Sequence, residues 1–228
     1  MTTHVHKTPD YAALCTYLSG FVSARRLQRI EQVLLQRTRY ITLVLENIFQ
    51  EHNASAILRT CDAFGIQDIH AIESKNHLKF NADIALGSEQ WVNVNSYSGK
   101  TSAEVFLSLK QQGYAIVATS PHQTAFTPFD IPLNTKLALV MGTEKQGLEP
   151  ESLKMADYFL YLPMVGFAES FNVSVSAALA LQPIMHRLRA LDQNIGLTKE
   201  EYLFLKQDWL IKSIRNGKPL ATQFLNTK

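Results

Sequence analysis

The sequence predicts an α/β fold organised on a mainly parallel sheet, and three observations carry that prediction. Short apolar runs, several rich in β-branched residues, alternate with longer stretches of helical periodicity. From residue 41 the order strand, loop, helix, strand gives a βαβ unit. Two of the runs, 137–141 and 158–162, end in polar, glycine-containing loops. Loops of that kind at strand ends form ligand sites in open α/β sheets.

The elements follow in order. Residues 10–20 read as a short helix, with Asp10 as N-cap and Gly20 as stop. Residues 22–37 form a second, with Leu27, Ile30, Val33 and Leu34 at helical spacing and Arg25, Arg26 and Arg29 on much of the other side. Ile41–Leu45 is a strand and the polar 46–53 a loop. Residues 54–64 form a helix whose apolar stripe is Ile57, Leu58, Cys61 and Phe64, closed by Gly65. Asp68–Ile72 is the next strand. A helical turn is expected at 81–86, a strand at 91–97, a helix at 102–112 and a strand at 115–119, then a polar turn at 120–123. Leu137–Met141 is a strand, 150–155 a short helix, and 158–162 another strand. A helix over 172–190 contains Pro183, where a kink or break is expected. A last amphipathic helix over 199–213 carries Leu203, Phe204, Leu210 and Ile211, and the tail beyond Asn216-Gly217 reads as mobile.

Composition narrows the class. With 228 residues and 46% hydrophobic content the chain can bury a sizeable core, and no apolar run approaches a membrane span. Two cysteines, Cys15 and Cys61, make neither a disulfide framework nor a zinc pattern, so a reduced, cytoplasmic setting is expected. The net charge of +2 is unevenly spread. Residues 1–40 hold six Lys/Arg against two acids, and 185–228 hold eight against four. The stretch 41–184 between them holds eight against fourteen. Basic flanks on an acidic middle attract polyanions, nucleic acid first among them, or simply solvate terminal helices.

The usual nucleotide and hydrolase signatures are missing. Gly142-Thr-Glu-Lys-Gln-Gly147 lacks the Gly-Lys-Ser/Thr ending of a P-loop, and no Gly-x-Gly-x-x-Gly follows a strand. No Gly-x-Ser-x-Gly elbow is present, His4 and His6 fall at a frayed terminus, the other five histidines show no ligand spacing, and no metal is expected. What remains is a set of polar residues at strand ends and helix starts. Asn53 can be an N-cap, Arg59 a surface arginine, Glu144 a solvated loop acid, and Ser170 and Asn172 caps of the following helix. Together they emerge at the loop ends of one sheet, which favours a shared site.

Three segments then resemble one family. They are Leu45-Glu-Asn-Ile-Phe-Gln-Glu-His-Asn-Ala-Ser-Ala-Ile-Leu-Arg-Thr-Cys-Asp-Ala-Phe-Gly65, Leu139-Val-Met-Gly-Thr-Glu-Lys-Gln-Gly-Leu148, and Leu162-Pro-Met-Val-Gly-Phe-Ala-Glu-Ser-Phe-Asn-Val-Ser-Val-Ser-Ala-Ala178. In order and separation they are similar to the motifs of the SPOUT superfamily of RNA methyltransferases, in its SpoU/TrmH branch. The resemblance covers roughly residues 25–212.

The resemblance implies a SPOUT fold: a parallel sheet between helices, with a deep trefoil knot over about 137–181. It implies a basic helical extension at 1–40, a methyltransferase domain at 41–190 and a helical extension at 191–228. The implied activity is S-adenosylmethionine-dependent 2′-O-methylation of RNA, with guanosine 18 in the tRNA D-loop the expected target. Ribosomal RNA, another tRNA position, or a non-catalytic RNA-binding role are the alternatives. The implied catalytic set is Arg59, Asn53, Glu144, Ser170 and Asn172, and the cofactor pocket is Thr119, Gly142, Leu162 and Phe171. Arg25, Arg26, Arg29, Arg187 and Arg189 are the RNA-contacting candidates. The family is dimeric, with each site drawing on both subunits. Two departures stand out: Glu169 where many relatives carry Gln, and Pro183 in the last motif helix.

Overall fold

A computed structural model describes residues 10–75, 77–120, 126–144, 146–191 and 193–226 of the chain. Most of the turn expected at 120–123 lies outside those residues. The chain divides into two compact units. One is Thr38–Ile195, and the other is built from both ends, residues up to Arg37 and Gly196 onward.

The larger unit holds six strands. They are β1 (Ile41–Glu46), β2 (Asp68–Glu73), β3 (Asn93–Ser98), β4 (Tyr114–Thr119), β5 (Lys136–Met141) and β6 (Tyr158–Leu160). All pair in parallel, in the order β3-β2-β1-β5-β4-β6. Numbering the helices along the chain, it also holds α3 (Glu51–Phe64), α4 (Ala82–Ala85), α5 (Ser102–Gln111), α6 (Pro150–Met155) and α7 (Val173–Ala190). The chain builds outward through β1, β2 and β3, then crosses back to β4, with β5 filling the slot beside β1. This reversal is a topological switch point, where parallel sheets open a crevice at their carboxyl ends.

Side chains alternate across a strand, so the sheet has two apolar faces. Leu43, Leu45, Leu139 and Met141 point to one, where they pack with Ile57, Leu58 and Cys61 of α3 and Ala177, Leu181 and Ile184 of α7. Val44, Val140, Ile116 and Ala118 point to the other, against Val105, Phe106 and Leu109 of α5. Burial on both faces explains the near-continuous apolar runs of β1 and β5.

Several local expectations change. The segment 46–53 is not all loop: α3 begins at Glu51, so Asn53 sits inside its first turn rather than capping it. The cap position belongs to Gln50, whose side chain makes no capping bond. Of the kink or break expected at Pro183, a break does not occur, because α7 runs continuously to Ala190. Pro183 forfeits one helix hydrogen bond, but it is buried among Leu181, Ile184, Met185 and Leu188, and that packing offsets the loss.

The smaller unit contains α1 (Tyr11–Ser19), α2 (Ala24–Leu34), α8 (Lys199–Ser213) and α9 (Gly217–Asn226). Asp10 caps α1 as the sequence suggests, accepting from the Ala13 amide at 3.0 Å. The buried face of α8 is Leu205, Trp209 and Leu210, while Phe204 stays exposed. Arg37 is buried with its guanidinium carbon 5.1 Å from the centroid of the Trp209 ring.

The mobile tail expected after Asn216 is instead the helix α9. Pro219 lies in its first turn, where a missing N–H costs nothing. A Cβ on Gly217 would lie 2.1 Å from the Ile211 carbonyl oxygen, so only glycine allows this close turn out of α8. Phe224 stacks on Tyr17 at 4.8 Å, which ties α9 to α1.

Candidate active site

The loops that leave the carboxyl ends of β5, β4 and β6, with the start of α7, enclose a cavity of about 280 Å³ in the larger unit. Its construction starts with β5. After Met141 the chain turns on Gly142 and folds back on itself. The Thr143 amide donates to the Gly147 carbonyl at 3.0 Å, and the Gly147 amide returns a bond to Thr143 at 2.9 Å. A Cβ at Gly142 would lie 2.4 Å from the carbonyl carbon and oxygen of Gly147. No side chain fits there without moving backbone. Glycine is therefore required for closure of the loop, and the closed loop presents main-chain groups to the cavity.

The other walls follow from strand ends. Thr119, last in β4, donates its hydroxyl to the Val140 carbonyl at 2.7 Å, which fixes the β4 end against β5. Leu148, Leu160, Leu162 and Val173 supply an apolar wall, and Ser170 and Phe171 close the side before α7. Thr119, Gly142, Leu162 and Phe171, all expected to hold a cofactor, line this one cavity. Glu144 and Ser170 line it as well.

Asn53, Glu144 and Asn172 meet in a hydrogen-bonded triangle. Asn53 Nδ2 donates to Glu144 Oε1 in a short contact and to Gln50 Oε1 at 2.6 Å. Asn172 Nδ2 donates to Asn53 Oδ1 at 3.0 Å and to Glu144 Oε1 at 3.2 Å. Asn172 is also the N-cap of α7, its Oδ1 accepting from the Ser174 amide at 2.9 Å and the Ser174 hydroxyl at 2.6 Å. The capping and the functional readings of Asn172 are therefore compatible: its oxygen caps and its amide nitrogen reaches the site. The triangle ties the start of α3, the β5 loop and the start of α7 together.

Arg59 stands apart. It lies six residues beyond Asn53, which on a helix is about 120° around the axis and about 9 Å along it. It is exposed, and no described residue of this chain pairs with it. Ser170 is exposed too, with no hydrogen-bond partner among the described residues. Arg187 and Arg189 have local employment. Arg187 donates to the carbonyls of Pro128 at 3.1 Å and Ile131 at 2.9 Å, and Arg189 to the Phe64 carbonyl at 3.0 Å. Arg187 thus anchors a loop. Arg25, Arg26 and Arg29 lie exposed on α2.

One residue of this region carried no signal as a site residue. Glu46, last in β1 and 1% exposed, accepts from the Ser102 and Ser152 hydroxyls and from the Glu149 amide at 2.9 Å. It fastens α5, α6 and the chain just after the β5 loop to the end of β1. An acid after an apolar strand was visible in sequence, but its three partners come from over fifty residues away.

No group of three or more His, Cys, Asp or Glu among the described residues is placed to hold a metal ion. No described helix is long and apolar enough to cross a membrane.

Comparison with known proteins places this architecture. Residues 40–182 match the model of the SpoU rRNA Methylase family. A tRNA (guanosine(18)-2′-O)-methyltransferase of Borreliella burgdorferi is 40% identical over 199 residues, covering 87% of this chain and 90% of that protein. The crystal structure of the TrmH/SpoU tRNA modifying enzyme of Aquifex aeolicus superposes with a TM-score of 0.75 at 30% identity, covering 83% of this chain and 97% of that one. The SpoU methyltransferase AviRb of Streptomyces viridochromogenes, solved with the cofactor AdoMet, shares the fold with a TM-score of 0.60 at 18% identity, over 70% and 65% of the two chains. The chain belongs to the SpoU methylase family.

Proposed function

We propose, from its membership of the SpoU methylase family, that this chain methylates the ribose 2′-hydroxyl of guanosine 18 in the D-loop of tRNA. S-adenosylmethionine is the donor. The observation that carries the reading is the union of two sets of residues. The hydrogen-bonded triangle of Asn53, Glu144 and Asn172 meets, through Glu144, the cavity lined by Thr119, Gly142, Leu162 and Phe171. A relative at 40% identity bears the name of this activity.

The residues present fit the cofactor. The glycine-closed loop 142–147 offers main-chain groups to a nucleoside, and Leu148, Leu160, Leu162 and Val173 give its base an apolar slot. When bound, S-adenosylmethionine supplies an activated methyl group on a sulfonium, so this chain's task is largely positioning. Thr119 and Ser170 orient through their hydroxyls. Glu144, held by two neutral amides, orients the ribose or the donor. Arg59 binds the phosphate next to the target and stabilises the alkoxide that develops as the hydroxyl loses its proton. A guanidinium is too weak a base to take that proton itself.

The working enzyme in this reading is a homodimer. Arg59 is turned about 120° from Asn53 on one helix, which suits service to a neighbouring subunit's site. The face of α7 leaves Val175 and Leu179 exposed, and Phe49 ahead of α3 is exposed too, an apolar surface consistent with a second copy. The knot over about 137–181 is part of the reading, supported by β5 lying between β1 and the earlier strand β4. The domain limits are those of a methyltransferase domain at 41–190 flanked by RNA-contacting helices. Arg25, Arg26 and Arg29 supply phosphate contacts there, with Arg189 secondary and Arg187 occupied by its loop. A reaction without a metal and a cytoplasmic setting are part of the same reading.

The test is incubation with S-adenosylmethionine and unmodified tRNA, followed by mapping of modified nucleosides by mass spectrometry. 2′-O-methylguanosine at position 18 is expected. Its absence overturns the tRNA assignment, and a modification found on ribosomal RNA instead moves the target. RNA affinity should fall with rising salt if the basic helices meet phosphate.

A further inference from the structure

We infer that Glu169, with Glu144, makes the cavity select the cationic methyl donor over its neutral product. This rests on the cofactor reading above and extends it to how the product is discharged.

The basis is the charge of the wall. Among the described residues lining the cavity are two carboxylates, Glu144 and Glu169, and no lysine or arginine. The rest of the described lining is apolar or neutral. The Glu144 carboxylate receives its hydrogen bonds from two amide side chains, Asn53 and Asn172, which satisfy lone pairs without cancelling charge. Glu169 is exposed on the rim, one residue before Ser170. Carboxylates on the wall and rim of a partly apolar concave site attract ligands of the opposite sign.

The reaction changes the ligand's charge. The donor carries a sulfonium, an ammonium and a carboxylate, for a net charge of +1. Methyl transfer forms the O–CH3 bond and breaks the S–CH3 bond, whose electron pair stays on sulfur. The hydroxyl proton leaves to solvent. S-adenosylhomocysteine, the product, is a neutral zwitterion. Two carboxylates therefore attract the donor more than the product, and the attraction weakens at the moment of transfer. Glu169 would be the adjustable part of this device, because Glu144 is already fixed in the triangle.

The experiment is equilibrium binding by titration calorimetry. The probes are S-adenosylmethionine, S-adenosylhomocysteine and sinefungin, in which a protonated amine replaces the sulfonium methyl. Each is titrated into the wild type, Glu169→Gln and Glu169→Asp. In Glu169→Gln, affinity for the two cationic ligands is expected to fall roughly three- to tenfold, with the product's affinity held within about twofold. Glu169→Asp should keep the preference. The wild-type preference should shrink at high salt, because a rim charge is screened. If Glu169→Gln weakens all three ligands equally, or none, the selectivity inference is wrong and the cofactor reading stands. If none of the three binds the wild type, the cofactor reading itself fails.

Discussion

Two carboxylates, Glu46 at the last position of β1 and Glu144 in the loop just after β5, belong to neighbouring strand ends and are used in opposite ways. Glu46 at the end of β1 is 1% exposed and surrounded by three donors, the Ser102 and Ser152 hydroxyls and the Glu149 amide. Glu144, in the loop after β5, is half-buried and takes its bonds from Asn53 and Asn172 while lining a cavity. Both hold distant segments together with neutral donors. The difference is what the carboxylate still faces. All the space around Glu46 is protein, so its bonds serve architecture. Part of the space around Glu144 is open, so its remaining capacity is available to a ligand. Exposure, more than residue type or pairing, separates a fastening from a carboxylate open to a ligand.

Four measurements break or sharpen that contrast. The largest effect is expected from Glu46→Ala, which strands two hydroxyls and an amide in a buried place. Chemical denaturation should show a loss of about 2–4 kcal/mol. A loss under about 1 kcal/mol would erase the distinction from Glu144. Glu144→Ala should behave in the reverse sense. Its stability should change by less than about 1 kcal/mol, while methyl transfer to tRNA falls about 100-fold in a single-turnover assay. An intact rate in that variant would remove Glu144 from the proposed site.

Arg59→Lys comes next. The substitution keeps a charge but loses the planar fork, so kcat/KM should drop about tenfold with cofactor affinity and melting temperature unchanged. A wild-type rate would show that the fork has no part in the reaction. The smallest effect concerns a buried group with no connection to the cavity. His70 is 6% exposed and hydrogen-bonded through Nδ1 to the Tyr97 hydroxyl at 2.9 Å. Burial holds its pKa below the ordinary 6.5, against an opposing pull from Asp68. Below 6.5 the unfolded chain then binds more protons than the folded one, so stability rises with pH. His70's contribution is complete above 6.5 and is lost as pH falls beneath it. His70→Gln should flatten the slope of stability against pH in that range, read from denaturation midpoints at several pH values.

Legibility in the sequence followed the range of the interaction. The strands, the helix at 102–111, the Asp10 cap and the Gly65 stop are set by neighbours within a turn or a strand, and periodicity and capping chemistry report them. Local signals misled where a longer-range contact overruled them. Pro183 reads as a kink or a break, and the core around α7 keeps the helix continuous through it. Asn216-Gly217 reads as an end, but Gly217 permits the close turn into α9 and Phe224 finds Tyr17. The carbonyl partners of Arg187, in a loop nearly sixty residues earlier, left no local mark at all.

The sequence by itself determined the alternating elements, the two glycine-bearing loops and the motif residues that mark a SpoU methylase. These rest on backbone preferences and side-chain spacing, which are written locally. Only the tertiary structure decided which of those residues meet. Asn53 and Glu144 are 91 positions apart, and Asn172 joins them from 28 further on. Their contact depends on β5 inserting beside β1, a pairing that no local pattern encodes. The same folding step buried Glu46 and opened the cavity beside Glu144. Residues of one type, similar on the page, were separated by how much solvent the sheet left each of them.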